Sequence, residues 1–137
     1  MEDRETFTRS LKRFYFIWHA AFSDRLFELG LTPIMYDVLT ILRQHGCLPA
    51  CGIAKLCMVK PQVLTEVLRR LDKSGLISYD LLPKSGNRTN FRLNHQGARL
   101  ISLCDGVRDS METETFGKIP WMNRRRFRWY LDELATA

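Results

Sequence analysis

Between Lys60 and Arg92 the chain sets seven basic residues, Lys60, Arg69, Arg70, Lys73, Lys84, Arg88 and Arg92, against three acids, Glu66, Asp72 and Asp80. Four of the six net positive charges therefore lie in this stretch. Such a cluster suits an anionic polymer, because cationic side chains that neutralise phosphates release condensed counterions. Lys60, Lys73, Lys84 and Arg88 are suited to phosphate, with Asn87 beside Arg88 in the same basic turn. Base edges need other chemistry. Gln62 matches adenine N6/N7, Glu66 accepts from cytosine N4, Arg69 or Arg70 reaches guanine or phosphate, and Val63 meets a thymine methyl. A competing reading pairs Glu66 with Arg69 or Arg70 at helical spacing and makes the set a solvated face. Face, charge and turn agree on contact with double-stranded DNA.

Other chemistries find less support. No nucleophile–base–orienter set, phosphate-cradling glycine loop or paired carboxylate is visible, so an enzyme is not expected. Cys47, Cys51, Cys57 and Cys104 match no zinc spacing, and no histidine pair completes one, so neither metal nor cofactor is expected. Reduced, mostly buried thiols are the default. Cys51 and Cys57 flank one short helix, where oxidation would shift its neighbour, which makes them the candidates for a thiol switch.

These side chains need elements to hold them. From Pro61 to Lys73, Leu64, Val67, Leu68 and Leu71 recur at helical spacing, which turns Gln62, Glu66, Arg69 and Lys73 to the opposite face, with Val63 and Arg70 at its border. Pro61 fits a first helical turn, and Gly75 fits the left-handed residue after the last. A shorter helix over Gly52–Met58 precedes it, with Ile53, Ala54, Leu56 and Cys57 as packing and 58–60 as the turn. After it, Ile77, Tyr79 and Leu81 alternate with polar residues, as do Thr89, Phe91 and Leu93, on either side of the basic turn 82–88. This spacing predicts a β-hairpin, and hence a winged helix–turn–helix.

Residues 4–29 read as a long helix with Phe7, Leu11, Phe14, Trp18, Phe22 and Leu26 on one stripe, and with Tyr15, Phe16 and Ile17 widening it. Thr32-Pro33 starts a second helix with Met35, Val38, Leu39 and Leu42 inward. An extended stretch is expected near 47–50. Asn94 caps a helix reaching about Phe116, striped by Leu100, Leu103/Cys104, Val107 and Met111. Trp121, Phe127, Tyr130, Leu131 and Leu134 mark a last one. Its run Arg124-Arg125-Arg126 with Arg128 is either a wet face or a clamp on DNA flanks. The fold class is mainly α with a small β wing, about six helices, in a single domain over 1–137. The 137 residues are 45% hydrophobic with a net charge of +6 and a pI near 9.4. No apolar run approaches a membrane span and no secretory leader opens the chain, so a cytoplasmic protein is expected.

At this point the chain resembles the MarR-type winged-helix transcription regulators. The resemblance rests on Leu31-Thr32-Pro33 with Tyr36 and Val38-Leu39, and on Ile53-Ala54-Lys55-Leu56. It continues through Leu64-Thr65, the run Arg70 to Ile77, and Arg92-Leu93-Asn94 with Gly97. It covers nearly the whole chain and implies a head over 32–93, with 4–29 and 94–135 mainly interlocking two subunits. A two-fold homodimer would set two reading helices about one DNA turn apart on a pseudo-palindromic site. The resemblance implies a transcriptional regulator, a repressor by expectation, with a protein-binding winged helix as the alternative. Trp18, His19, Phe22 and Tyr36 are either core aromatics or the lining of the crevice where the family takes small aromatic effectors. Two departures stand out. The wing carries Ser85-Gly86-Asn87-Arg88 in place of the family's Asp–Arg brace, and Asn94 replaces the family's threonine cap. The reactive cysteine of the family's peroxide-sensing branch lies near the first helix, where this chain has none.

Overall fold

The computed structural model describes residues 2–136, with side chains from Thr6 onward. Its order is α1 (Glu2–Phe27), α2 (Pro33–His45), α3 (Ala50–Cys57), α4 (Pro61–Lys73), β1 (Ile77–Leu81), β2 (Arg88–Leu93), α5 (His95–Phe116) and α6 (Trp121–Ala135). The expected helices and hairpin are all present, α3 starting two residues earlier than Gly52.

Capping residues set the boundaries. The Thr32 hydroxyl accepts from the Met35 N–H at 3.3 Å, and Pro33 takes the first helical position of α2. The Asn94 side chain does two jobs, accepting from the Gly97 N–H at 2.9 Å and donating to the Gly75 carbonyl at 2.6 Å. It therefore ties the start of α5 to the end of α4. Gly97 sits so close to this junction that a Cβ there would run into the Leu76 carbonyl oxygen.

Helix α2 is the axle of the core. Met35, Tyr36, Val38, Leu39 and Leu42 are buried along it. The α4 stripe of Leu64, Val67, Leu68 and Leu71 packs into the same core with Ile53, Leu76, Ile77 and Phe91. Burying each large aliphatic side chain contributes about 2 kcal/mol. The stripe therefore holds α4, and its opposite face is left free for other work.

The hairpin pairs antiparallel, Ile77 with Leu93, Ser78 with Arg92, Asp80 with Thr89 and Leu81 with Arg88, with an irregularity between Ser78 and Asp80. Leu48 adds a short third strand segment: its N–H donates to the Phe91 carbonyl at 3.0 Å, and the Phe91 N–H donates back at 2.8 Å. That is the extended stretch expected before α3.

Five expectations about packing are corrected. The α1 stripe is buried only at its far end, Phe22 and Leu26, while Phe7, Leu11 and Phe14 are exposed. Leu56 is exposed on α3. Leu81 is exposed because the wing tip reaches beyond the core. On α5 the register places Ile101 and Cys104 inside and leaves Leu103 61% exposed. No residue of α6 is buried, so Trp121, Phe127 and Tyr130 do not form the inner side expected of them. Within one chain α6 has nothing to bury them against.

Candidate nucleic-acid interface

The exposed face of α4 carries Gln62, Val63, Glu66, Arg69, Arg70 and Lys73, with Lys60 just before the helix. The fold therefore brings six of the ten expected contact residues to one surface. Pro61 gives up no hydrogen bond at the helix start, and the Thr65 hydroxyl turns back to the Pro61 carbonyl at 2.9 Å. The polar side chains that still point outward are those named from the sequence.

Glu66 organises this face. Its carboxylate accepts from Arg69 Nε at 3.0 Å and from Arg69 Nη2 at 2.6 Å, a side-on fork. Arg70 Nε adds a third hydrogen bond at 3.3 Å. The Arg69 hydrogen bond leads in holding the Glu66 carboxyl down to about 2; desolvation opposes it, and the Arg69 charge and Arg70 add to the lowering. Glu66 is thus charged at every working pH. The helical pairing weighed from the sequence is present, and all three side chains remain exposed.

The wing is braced, but not where the family motif would place it. Arg88 Nη1 lies 3.4 Å from Asp72 Oδ2, and its guanidinium sits over the Tyr79 ring at 4.9 Å. The Tyr79 hydroxyl donates to the same Asp72 oxygen at 3.2 Å. Farther along, Arg92 bonds Asp80 at 3.1 Å and Asn90 donates to Asp80 at 3.2 Å. The Asn90 and Arg92 hydrogen bonds hold the Asp80 carboxyl below its usual range. In place of the absent Asp–Arg pair of the wing itself, Arg88 reaches back to Asp72 of α4 and ties the hairpin to it. Lys84 and Asn87 occupy the exposed tip, where the Asn87 N–H donates to the Ser85 hydroxyl at 3.3 Å.

The four aromatic-pocket candidates divide. Trp18 and Phe22 meet at a tilt with ring centroids 5.0 Å apart, and Phe22 meets Tyr36 edge-on at 5.5 Å, a ladder with Phe22 and Tyr36 in the core. His19 leaves it to stack on Tyr15 at 5.3 Å. The larger openings lie elsewhere. A cleft of about 760 Å³ runs between α5 and α6 past Arg108, Phe116, Arg124 and Phe127. A smaller one of about 270 Å³ lies near Phe27, Met35, Arg70 and Lys73. Phe22 and Tyr36 belong to the core, and Trp18 packs against it half-buried.

The sequence did not point to the group beneath the head. The Tyr36 hydroxyl donates to Asp105 at 2.6 Å, Arg43 Nη1 donates to the other Asp105 oxygen at 2.6 Å, and Arg108 donates to the Tyr36 oxygen at 2.6 Å. Burial pushes the Asp105 carboxyl up, but hydrogen bonds from Arg43 and Tyr36 and the charges of Arg43 and Arg108 outweigh it, leaving a net lowering. Burial, then the Asp105 hydrogen bond, pushes the Tyr36 phenol well above its usual range, so it stays a neutral donor. A carboxylate set between Cys104 and Val107, beside the α5 stripe and with Arg108 one turn on, was the available signal.

The cysteines also differ from expectation. Cys47 and Cys51 are exposed, Cys57 is half-buried and Cys104 is buried, so the thiols are not mostly inside. Burial, with Asp37 nearby, pushes the Cys57 thiol up to about 11. A thiol so rarely ionised is a weaker nucleophile than a free one. Among the described residues no group of three or more histidine, cysteine or acidic side chains is placed to hold a metal ion. Among the described residues no helix is long and apolar enough to cross a membrane.

Comparison with known proteins follows the same lines. The MarR family model matches residues 31–79, which run from the start of α2 into the hairpin. The HTH-type transcriptional repressor Rv2887 of Mycobacterium tuberculosis is 25% identical over 114 residues, 83% of this chain and 82% of that protein. A MarR family transcriptional regulator from Rhodococcus sp. RHA1 superposes with a TM-score of 0.84 at 20% identity, covering 96% of this chain and 94% of that one. A mutant MarR from E. coli complexed with operator DNA superposes at 0.81 with 19% identity, covering 93% and 91%. In the order of its helices and in its hairpin the chain has the winged-helix fold of these proteins, and its residues 31–79 match the MarR family model.

Proposed function

We propose that this protein is a sequence-specific regulator of transcription that binds double-stranded DNA as a homodimer on a pseudo-palindromic site and acts there as a repressor. One observation carries the reading. Helix α4 buries its entire apolar stripe and presents Gln62, Val63, Glu66, Arg69, Arg70 and Lys73 on the other side, beside a braced basic wing. A helix so divided fits a major groove, with Lys60 and Lys84 placed for flanking phosphates. The similar mycobacterial proteins are named repressors, and a similar E. coli structure holds operator DNA. A protein-docking winged helix would favour a neutral or acidic reading face, whereas this stretch carries seven bases against three acids.

The exposed aromatic and aliphatic side chains support the dimer. Phe7, Tyr15, Phe16 and Ile17 of α1 and Trp121, Trp129, Tyr130 and Leu134 of α6 are all more than half exposed in one chain. Apolar surface on this scale marks an association site.

Fluorescence anisotropy tests the DNA reading, comparing a duplex from the region upstream of the protein's own gene with a scrambled duplex across a salt series. Tight binding to the first alone, weakening steeply with salt, supports an autoregulating repressor. Absence of binding to any duplex at low salt overturns the DNA reading. Light scattering tests the dimer: twice the chain mass is expected, and Trp129→Ser with Leu134→Ser should shift it toward the monomer.

A further inference from the structure

The arginines and lysines of the head are treated differently. All four arginines between 60 and 92 are tied to a carboxylate of the same head: Arg69 and Arg70 to Glu66, Arg88 to Asp72, Arg92 to Asp80. Lys60, Lys73 and Lys84 have no ion-pair partner among the described residues. The most concentrated case is Glu66, whose single carboxylate takes three N–H donors from two guanidiniums in the middle of the reading face.

We propose that Glu66 is a specificity-determining residue of this head, withholding Arg69 and Arg70 from the phosphates of unmatched DNA and releasing them to a matched site. This rests on the DNA-binding reading above and adds the residue that sets its selectivity.

Glu66 and DNA phosphates compete for the same two guanidiniums. Phosphate attraction is blind to sequence, so any duplex would engage two free guanidiniums on this face. Here each must first leave a carboxylate, and that carboxylate remains as a negative charge facing the phosphates. The exposed pairing is open to exchange, because water and salt compete with it continuously. A matched site offers replacements on both sides. A guanine presents O6 and N7 to an arginine fork, and a cytosine N4 amino group satisfies Glu66 itself. An unmatched site offers only the phosphate. The three lysines supply the attraction that every sequence shares, and Glu66 makes the arginine contribution conditional.

The test compares wild type with Glu66→Gln on two duplexes: one enriched by the wild-type protein from a randomised pool, and a scrambled duplex of equal composition. Glutamine keeps the size and removes the charge. Glu66→Gln should bind the scrambled duplex about tenfold more tightly at low salt. Its salt slope there should steepen by about 0.9 for each arginine released, up to about 1.8 per head. The preference for the enriched duplex should fall by a factor of about ten or more. Adding Arg69→Gln to Glu66→Gln should cancel about half of the added slope, which a change in folding would not do. A slope and a preference equal to those of wild type overturn the inference and leave the DNA reading standing. Loss of affinity for the enriched duplex with no gain on the scrambled one also overturns it, by making Glu66 only a base contact. If the wild type enriches no duplex, the DNA reading itself falls and the inference with it.

Discussion

Glu66 and Asp105 each gather two arginines around one carboxylate, and they do opposite things. Glu66 is exposed and bonds only within its own helix, three and four residues away. Asp105 is half-buried on α5 and bonds Tyr36 and Arg43, which lie 69 and 62 residues earlier on α2. The first network orders nothing but its own side chains. The second pins the axle of the head to the long helix behind it. The chemistry is shared, so burial and chain separation decide whether such a cluster is a fastening or a reserve of charge.

The largest effect should come from breaking the buried side. Asp105→Ala leaves the Tyr36 hydroxyl and the Arg43 guanidinium without their acceptor and removes the charge beside Arg108, and should lower stability by about 2 kcal/mol in urea denaturation. Acid sharpens the same point. The Asp105 carboxyl is held below its usual range, so its stabilisation is complete above the unfolded-state pKa of about 3.9. It is lost as pH falls through the lower folded-state value. Wild type should therefore exceed Asp105→Asn in stability at neutral pH, and the gap should close on acidification below about pH 4. Tyr36→Phe removes one donor but leaves both arginines on Asp105, and should cost about 1 kcal/mol in the same assay. Glu66→Gln should leave the denaturation midpoint unchanged while altering DNA binding, the converse of what Asp105→Asn does to stability. The smallest effect lies in the thiols: a thiol-labelling time course should modify Cys47 and Cys51 first and Cys57 and Cys104 last. Equal rates for all four would remove burial as the reason for their difference.

The two networks also differ in how readable they were. Glu66 with Arg69 and Arg70 is visible in any helical projection, because helical periodicity alone makes them neighbours. The same periodicity placed Leu64, Val67, Leu68 and Leu71 inside, and local capping chemistry placed Thr32 and Asn94 at helix starts. No local pattern connects Tyr36 to Asp105 or Arg88 to Asp72, because those contacts depend on how elements dock. The α5 register was misread for a related reason. Leu103 and Ile101 are equally apolar, and only the position of α2 decides which faces in. On α6 the periodicity did mark an apolar face, but one chain supplies no surface to cover it. The aromatic ladder from Trp18 to Tyr36 was ambiguous because a lined crevice and a filled core use the same side chains.

The short pairing of Leu48 with Phe91 has a consequence for how such proteins diversify. Its two hydrogen bonds bring together the points where the chain enters α3 and returns from the wing. Every residue proposed to contact DNA lies between them, in a cassette whose two ends meet. Substitutions, or even a wholesale exchange, within residues 48–91 would leave the packing of α2 on α1 and α5 in place. A lineage built this way can vary one face of the molecule without disturbing the scaffold that carries it.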